Sequence, residues 1–170
     1  MENRELEKLL KNADLGKDSL PSYEVAAYLR RFDRTTFLIK SPDAEKSKTF
    51  APVKSREFLE MQMEVASALL EMKVEKGDPV AVFARNSIEY AVMVFAILSV
   101  GAVFVPFYPT ITQEEMEELL RHSEARILCA GDQAHFQKSF AVLNKVKSPI
   151  KRLITFYNAK ADHNQVISFT

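Results

Sequence analysis

NSIEYAVMVFAILSVGAVFVPFYPT, from Asn86 to Thr110, decides the fold. Between Tyr90 and Gln113 no residue carries a charge. Such a run either crosses a membrane or lies inside a globular domain. Its punctuation selects the second. Asn86-Ser87-Ile88-Glu89 has the form of a capping box, with Asn86 as the cap and Glu89 reaching back. A helix is therefore expected from Ser87 to Val100. Gly101 stands where a helix takes a C-terminal glycine. AVFVP, residues 102–106, is β-branched and aromatic and reads as a strand that Pro106 and Pro109 end. A membrane helix needs about 20 unbroken apolar residues, and neither end of this run has a cluster of Lys or Arg anchors. A helix with no polar face must be covered on nearly all sides. It lies between layers, or beneath something this chain does not contain.

The alternation extends on both sides. Upstream, Ser55 opens a helix to about Met72, with Phe58, Met61, Val65, Leu69 and Met72 on one apolar stripe. Glu57, Glu60, Glu64 and Glu71 fall on another stripe and read as a solvated face. VEKGD is the exit, where Gly77 can take a positive φ. PVAVFA, residues 79–84, is a continuous apolar strand of the kind buried on both faces of a parallel sheet. Downstream, Thr112-Gln113-Glu114-Glu115 is a second capping box, opening a helix to about His122. ARILCA (125–130) is a strand, Gly131-Asp132 turns into a helix to about Lys147, and KRLITFY (151–157) is another strand. From Ser55 the order is helix, strand, repeated four times. It specifies an α/β fold: a mostly parallel sheet with right-handed crossovers, flanked by helices. Before it, TTFLIK (35–40) and TFAPV (49–53) read as two strands, and Pro52 places the second at an edge. Short helices are expected over 2–12 and 22–32.

The chain has 170 residues, with 23 Lys and Arg against 23 Asp and Glu. Zero net charge argues against nucleic acid or an anionic membrane as the main partner. The single cysteine, Cys129, permits no internal disulfide and fits a reducing, cytoplasmic compartment. MENRELEKLLKN has no apolar core of a secretory signal. The end, NQVISFT, reads as interrupted. The expected organisation is a helical extension over 1–32, an α/β unit over 33–157, and the start of a continuing segment over 158–170, truncated there.

Chemistry is sparse. The four glycines, Gly16, Gly77, Gly101 and Gly131, stand apart, so no phosphate cradle forms from clustered glycines. FARNS, residues 83–87, is a strand-to-helix turn. It reads as an ordinary capped turn, or as an anion site helped by Arg85. His122, His135 and His163 have no partner at metal-ligand spacing. Cys129 lies mid-strand among apolar residues and reads as a buried inert thiol. Asp132 and Glu89 read as capping residues rather than an acid–base pair.

The run from Ser55 to Gly131 resembles the N-terminal region of the AMP-forming acyl-CoA synthetases, the adenylating superfamily that also holds luciferases and the adenylation domains of peptide synthetases. The matching pieces are Gly77-Asp78-Pro79-Val80-Ala81, Asn86-Ser87, Gly101-Ala102, Val105-Pro106, Tyr108-Pro109, Thr112 to Leu120, and Ser123-Glu124-Ala125. Order and spacing carry the likeness, over about residues 33–157. Pro79 departs from the family pattern, as does Ala84-Arg85, where Leu-Pro is common. Residues 1–32 match nothing in it. The resemblance implies the N-terminal subdomain of the large domain of an adenylating enzyme.

The resemblance also implies a ligase that activates a carboxylic acid, a fatty acid foremost, with ATP and Mg²⁺. Acyl-AMP and pyrophosphate form, and the acyl group then passes to coenzyme A. No catalytic residue carries over: the phosphate loop, the adenine and ribose contacts and the C-terminal lysine of the family are absent, so this chain alone should be inactive. In some members the CoA nucleotide rests on the turn after the Val-Pro strand and on basic residues after the Ser-x-Ala strand. The positions here are Phe107, Tyr108, Pro109 and Thr110, then His135 and Lys138. Tyr108 would stack on adenine and Lys138 would meet the 3′-phosphate. Alternatively His135 and Lys138 are ordinary exposed residues of a helix start. A free-standing α/β binding module, dimerising through apolar surface, is the other reading of the whole chain.

Overall fold

Pro79–Phe83 is the centre of the sheet, and its sequence explains why. The computed structural model describes residues 29, 31, 35–40, 50–156 and 163–168. Strand β1 (Thr35–Lys40) pairs antiparallel with β2 (Phe50–Lys54) in a two-stranded sheet. Pro52 therefore sits on an edge strand, where its missing N–H costs no ladder bond. Helix α1 (Ser55–Glu71) follows, then β3 (Pro79–Phe83), α2 (Ile88–Ser99), β4 (Val103–Phe107) and α3 (Gln113–Ser123). The chain continues through β5 (Ile127–Ala130), α4 (Gln133–Leu143), β6 (Arg152–Thr155) and β7 (Val166–Ser168). The main sheet has the order β4-β3-β5-β6-β7, and every pairing in it is parallel.

Period-two alternation in β3 sorts two cores. Val80 and Val82 face Leu69 of α1 and Met93, Ala96 and Ile97 of α2. Ala81 and Phe83 face Met116 and Leu120 of α3 and Phe136 and Val142 of α4. Both faces are covered, which is why the strand reads apolar throughout. The acidic stripe of α1 is exposed at Glu57, Glu60, Glu64 and Glu71.

The uncharged helix is covered in part by its own chain. Val92, Met93, Ala96 and Ile97 are buried. Val92 joins a third cluster with Leu29, Val53, Phe58 and Leu59, and Phe95 meets the Phe58 ring edge-on at 5.5 Å. Burying a Val or Ile side chain stabilises by about 1.5–3 kcal/mol, so α2 is held by packing on two sides. A polar tie adds to this: Ser99 Oγ accepts from Gln62 Nε2 at 2.6 Å. Among the described residues no helix is long and apolar enough to cross a membrane.

The local signals are partly corrected. The cap of α2 is Ser87, not Asn86: Ser87 Oγ accepts from Tyr90 N–H. Counting from Ser87, the third helical residue is Tyr90, which has no carboxylate to return the bond, so Glu89 closes no box. The Thr112 box forms in full, with Glu115 N–H donating to Thr112 Oγ1 and Thr112 N–H to Glu115 Oε2. Gly101, at φ +76, ends α2 with a Schellman pair: its N–H donates to Leu98 and that of Ala102 to Ile97. Gly77, at φ +92, donates to the Gly101 carbonyl, tying the two turns. Pro106 does not end β4; it lies within it opposite Val82, tolerated because β4 is an edge. Helix α4 stops at Leu143 rather than near Lys147. Val166–Ser168, within the stretch expected to begin a continuing segment, forms the fifth strand of the sheet. The helix expected over 2–12 lies outside the described residues, as does most of that over 22–32.

Candidate functional site

In parallel sheets, ligands meet the loops at the carboxyl ends of the strands. Arg85, Tyr108 and Thr110 lie in turns there, after β3 and β4, and His135 and Lys138 on the helix that follows β5. The parallel register places Phe83 opposite Phe107, so the turn after β3 and the turn after β4 leave the sheet side by side. They enclose an open cleft of about 520 Å³ lined by Ala84, Arg85, Asn86, Tyr90, Pro106, Phe107, Tyr108 and Pro109.

Tyr108 stands at its rim, 80% exposed, while Phe107 is buried beneath. Thr110 is exposed. The turn is closed by Ile111 N–H donating to the Tyr108 carbonyl at 3.2 Å. Tyr90, half-buried, packs edge-on against Phe104 at 6.0 Å, and burial holds its phenol above its ordinary pKa. Arg85 and Asn86 are exposed.

Between β3 and β5 the exit loops touch. The Gly131 N–H donates to the Phe83 carbonyl at 3.1 Å. A Cβ on Gly131 would stand 2.5 Å from Ala84 Cβ. Only glycine lets these two loops touch.

His135 and Lys138 are placed differently from Tyr108. His135 is buried, 4% exposed, with its ring edge-on to Phe83 at 4.4 Å. Asp132 caps α4 by accepting from His135 N–H at 2.9 Å, and the same Oδ1 lies 2.6 Å from His135 Nδ1. That ring nitrogen has no well-aligned hydrogen bond. Burial pushes the Asp132 carboxyl up, but the His135 N–H and ring outweigh it, and its pKa is held below the ordinary value. Lys138 Nζ donates to the Ile111 carbonyl and lies 5.5 Å from the Phe83 ring centroid. Neither residue lines the cleft. The expectation that they are plain exposed residues is corrected for His135, which packing against Phe83 turns inward.

Cys129 is fully buried in β5, and burial raises its thiol pKa far above the ordinary value, as an inert thiol requires. Among the described residues no three of His, Cys, Asp and Glu group to hold a metal ion. The sequence reading missed Ala84, Tyr90 and Pro106 as cleft residues and left Arg85 unconnected to Tyr108. The usable signal was the crossover rule: consecutive strands joined by a helix tend to lie side by side, so their exit turns meet.

The AMP-binding enzyme family matches residues 28–167. The long-chain-fatty-acid–CoA ligase FadD15 of Mycobacterium bovis is 41% identical over 70 residues, 41% of this chain and 12% of that protein. Tyrocidine synthase 3 of Brevibacillus parabrevis is 27% identical over 121 residues, 67% of this chain and 2% of that protein. A solved structure from Rhodopseudomonas palustris, described as a long-chain-fatty-acid CoA ligase, superposes with a TM-score of 0.73 at 20% identity. It covers 90% of this chain, which spans 36% of that one. The chain thus spans a minor part of each protein it matches.

Proposed function

This chain belongs to the AMP-binding enzyme family, and from that premise we propose that it forms the N-terminal subdomain of a cytoplasmic acid–CoA ligase. The proposed whole protein activates a carboxylic acid, a fatty acid foremost, as acyl-AMP and passes it to coenzyme A. The observation that carries this reading is the family match over 28–167. The likeness to FadD15 supports CoA as the acceptor.

The described residues do not fit an ATP–Mg²⁺ site. The chain's four glycines are scattered, and no metal-holding group occurs among the described residues. No step of adenylation is therefore assigned to them. Their part is positional: two packed cores hold the sheet, and its carboxyl edge presents the Tyr108 turn. There we place the CoA nucleotide, with Tyr108 as the stacking surface and Thr110 beside it. His135 and Lys138 belong to the wall behind. ATP, Mg²⁺, the acid and the transfer chemistry are left to further residues of the same protein.

The test is turnover. Residues 1–170 and the full-length gene product are each given ATP, Mg²⁺, CoA and a panel of carboxylic acids, and pyrophosphate and acyl-CoA are measured. The full-length protein should form both and residues 1–170 neither. Adenylation by residues 1–170 alone would refute the positional role; a full-length protein inert toward every acid would refute the ligase reading. One observation favours the other reading, a free-standing α/β module: Val92, Met93, Ala96 and Ile97 of α2 are buried within the chain itself. A cooperatively folding, monodisperse gene product of 19.3 kDa would select it.

A further inference from the structure

The cleft beside Tyr108 contains one charge. Of its eight lining residues only Arg85 is ionised at neutral pH, and no carboxylate lies among them. Arg85 is exposed and makes no hydrogen bond or ion pair with the described residues. Its five donors stay open for a planar or tetrahedral anion. Lys138 is the opposite case. Its ammonium is committed to the Ile111 carbonyl and lies near the Phe83 face. Its helix, α4, packs on the sheet face of Phe83, Leu128 and the cleft's Phe107, whereas Ala84 and Tyr90 of the cleft belong to the other face. Lys138 is not among the residues that line the cleft.

We propose that Arg85, not Lys138, meets the anionic group of a nucleotide held at the Tyr108 turn, and that Lys138 is a positioning residue for that turn. The inference rests on the reading that the turn receives the CoA nucleotide. Ile111 links the two roles: its N–H closes the turn on the Tyr108 carbonyl, and its own carbonyl accepts from Lys138. Lys138 therefore fixes where Tyr108 stands without touching the ligand. Arg85 occupies a position where the family pattern has proline, so the added cation distinguishes this chain's cleft.

Direct binding tests this independently of ligase turnover. The probes are adenosine 3′,5′-bisphosphate and uncharged adenosine, titrated calorimetrically into the full-length protein. The bisphosphate should bind more tightly than adenosine and lose that advantage as salt rises. Arg85→Met should weaken the bisphosphate about tenfold and leave adenosine unchanged; Arg85→Lys should recover part of the loss. Lys138→Met should weaken both probes by the same factor and shift the Tyr108 and Ile111 amide resonances of the free protein. Lys138→Arg, which keeps a donor, should restore them. Three results overturn the proposal: no bisphosphate binding to the wild type, no effect of Arg85→Met, or a Lys138→Met loss confined to the bisphosphate. If binding follows the expected pattern while turnover is absent, the ligase reading alone falls.

Discussion

Gly131→Ala tests whether the contact between the turns after β3 and β5 is as tight as the backbone says. The new Cβ would stand 2.5 Å from Ala84 Cβ and 3.0 Å from Ala84 Cα. Carbon atoms rest at about 3.5–4.0 Å, so an ångström or so must be found. Neither partner is a flexible side-chain end. The loops are tied by Gly131 N–H to the Phe83 carbonyl at 3.1 Å, and β5 to β6 by Phe156 N–H to the Ala130 carbonyl at 3.0 Å. Gly131 is outside the positive-φ region, so the cost is steric and not conformational. Overpacking of this kind costs about 1–3 kcal/mol, and the middle of that range is expected. Ala84→Gly removes the atom met first. By itself it should cost about 1–2 kcal/mol, from a buried methyl and added chain freedom. In the double variant the Cβ–Cβ clash is gone and only the 3.0 Å approach to the Cα of residue 84 remains, so the two costs should not add; a coupling of about 1 kcal/mol is expected. Urea unfolding followed by circular dichroism gives all four corners of the cycle. A Gly131→Ala midpoint within about 0.5 kcal/mol of wild type, or strict additivity, would refute the reasoning.

Two further outcomes follow from buried polar groups. Glu117 of α3 is ion-paired with Lys145 and, at 3.5 Å, with Arg121. The Lys145 hydrogen bond, against burial, holds its carboxyl below the ordinary 4.5. A lowered folded-state pKa means the pair's stabilisation is present above the ordinary carboxylate value and lost as pH falls through the lowered one. Glu117→Gln should therefore destabilise at neutral pH, and its stability should converge with wild type in acid; a pH-independent gap between the two unfolding curves would count against the ion pair as the cause. Cys129 should resist a thiol-disulfide reagent in the native state and react fully once urea unfolds the chain; rapid native labelling would show that β5 is not closed.

Local rules worked where one short stretch decides the outcome. Thr112 and Glu115 formed their box because both partners lie within one turn, and Gly77 and Gly101 took positive φ because each must reverse the chain. The strand order of types followed from apolar runs such as Val80–Phe83, which need cover on both faces. The cap of α2 was misread by one residue because Asn86 and Ser87 are both good caps, and only the backbone entry angle chooses between them. Pro106 was misread because proline forbids a central strand but not an edge, and edges are not written in a strand's own residues.

What the sequence determined by itself is the class: alternating helices and parallel strands, a globular reading of the uncharged run, and the family likeness. Those rest on periodicity, caps and ordered short motifs, all local in the chain. What only the tertiary structure decided is the site. Arg85 and Tyr108 share a cleft because β3 and β4 are neighbours in register. Lys138 stands outside its lining because its ammonium finds the Ile111 carbonyl, 27 residues away. Distances between residues far apart in sequence are set by packing, and no pattern of residue types records them.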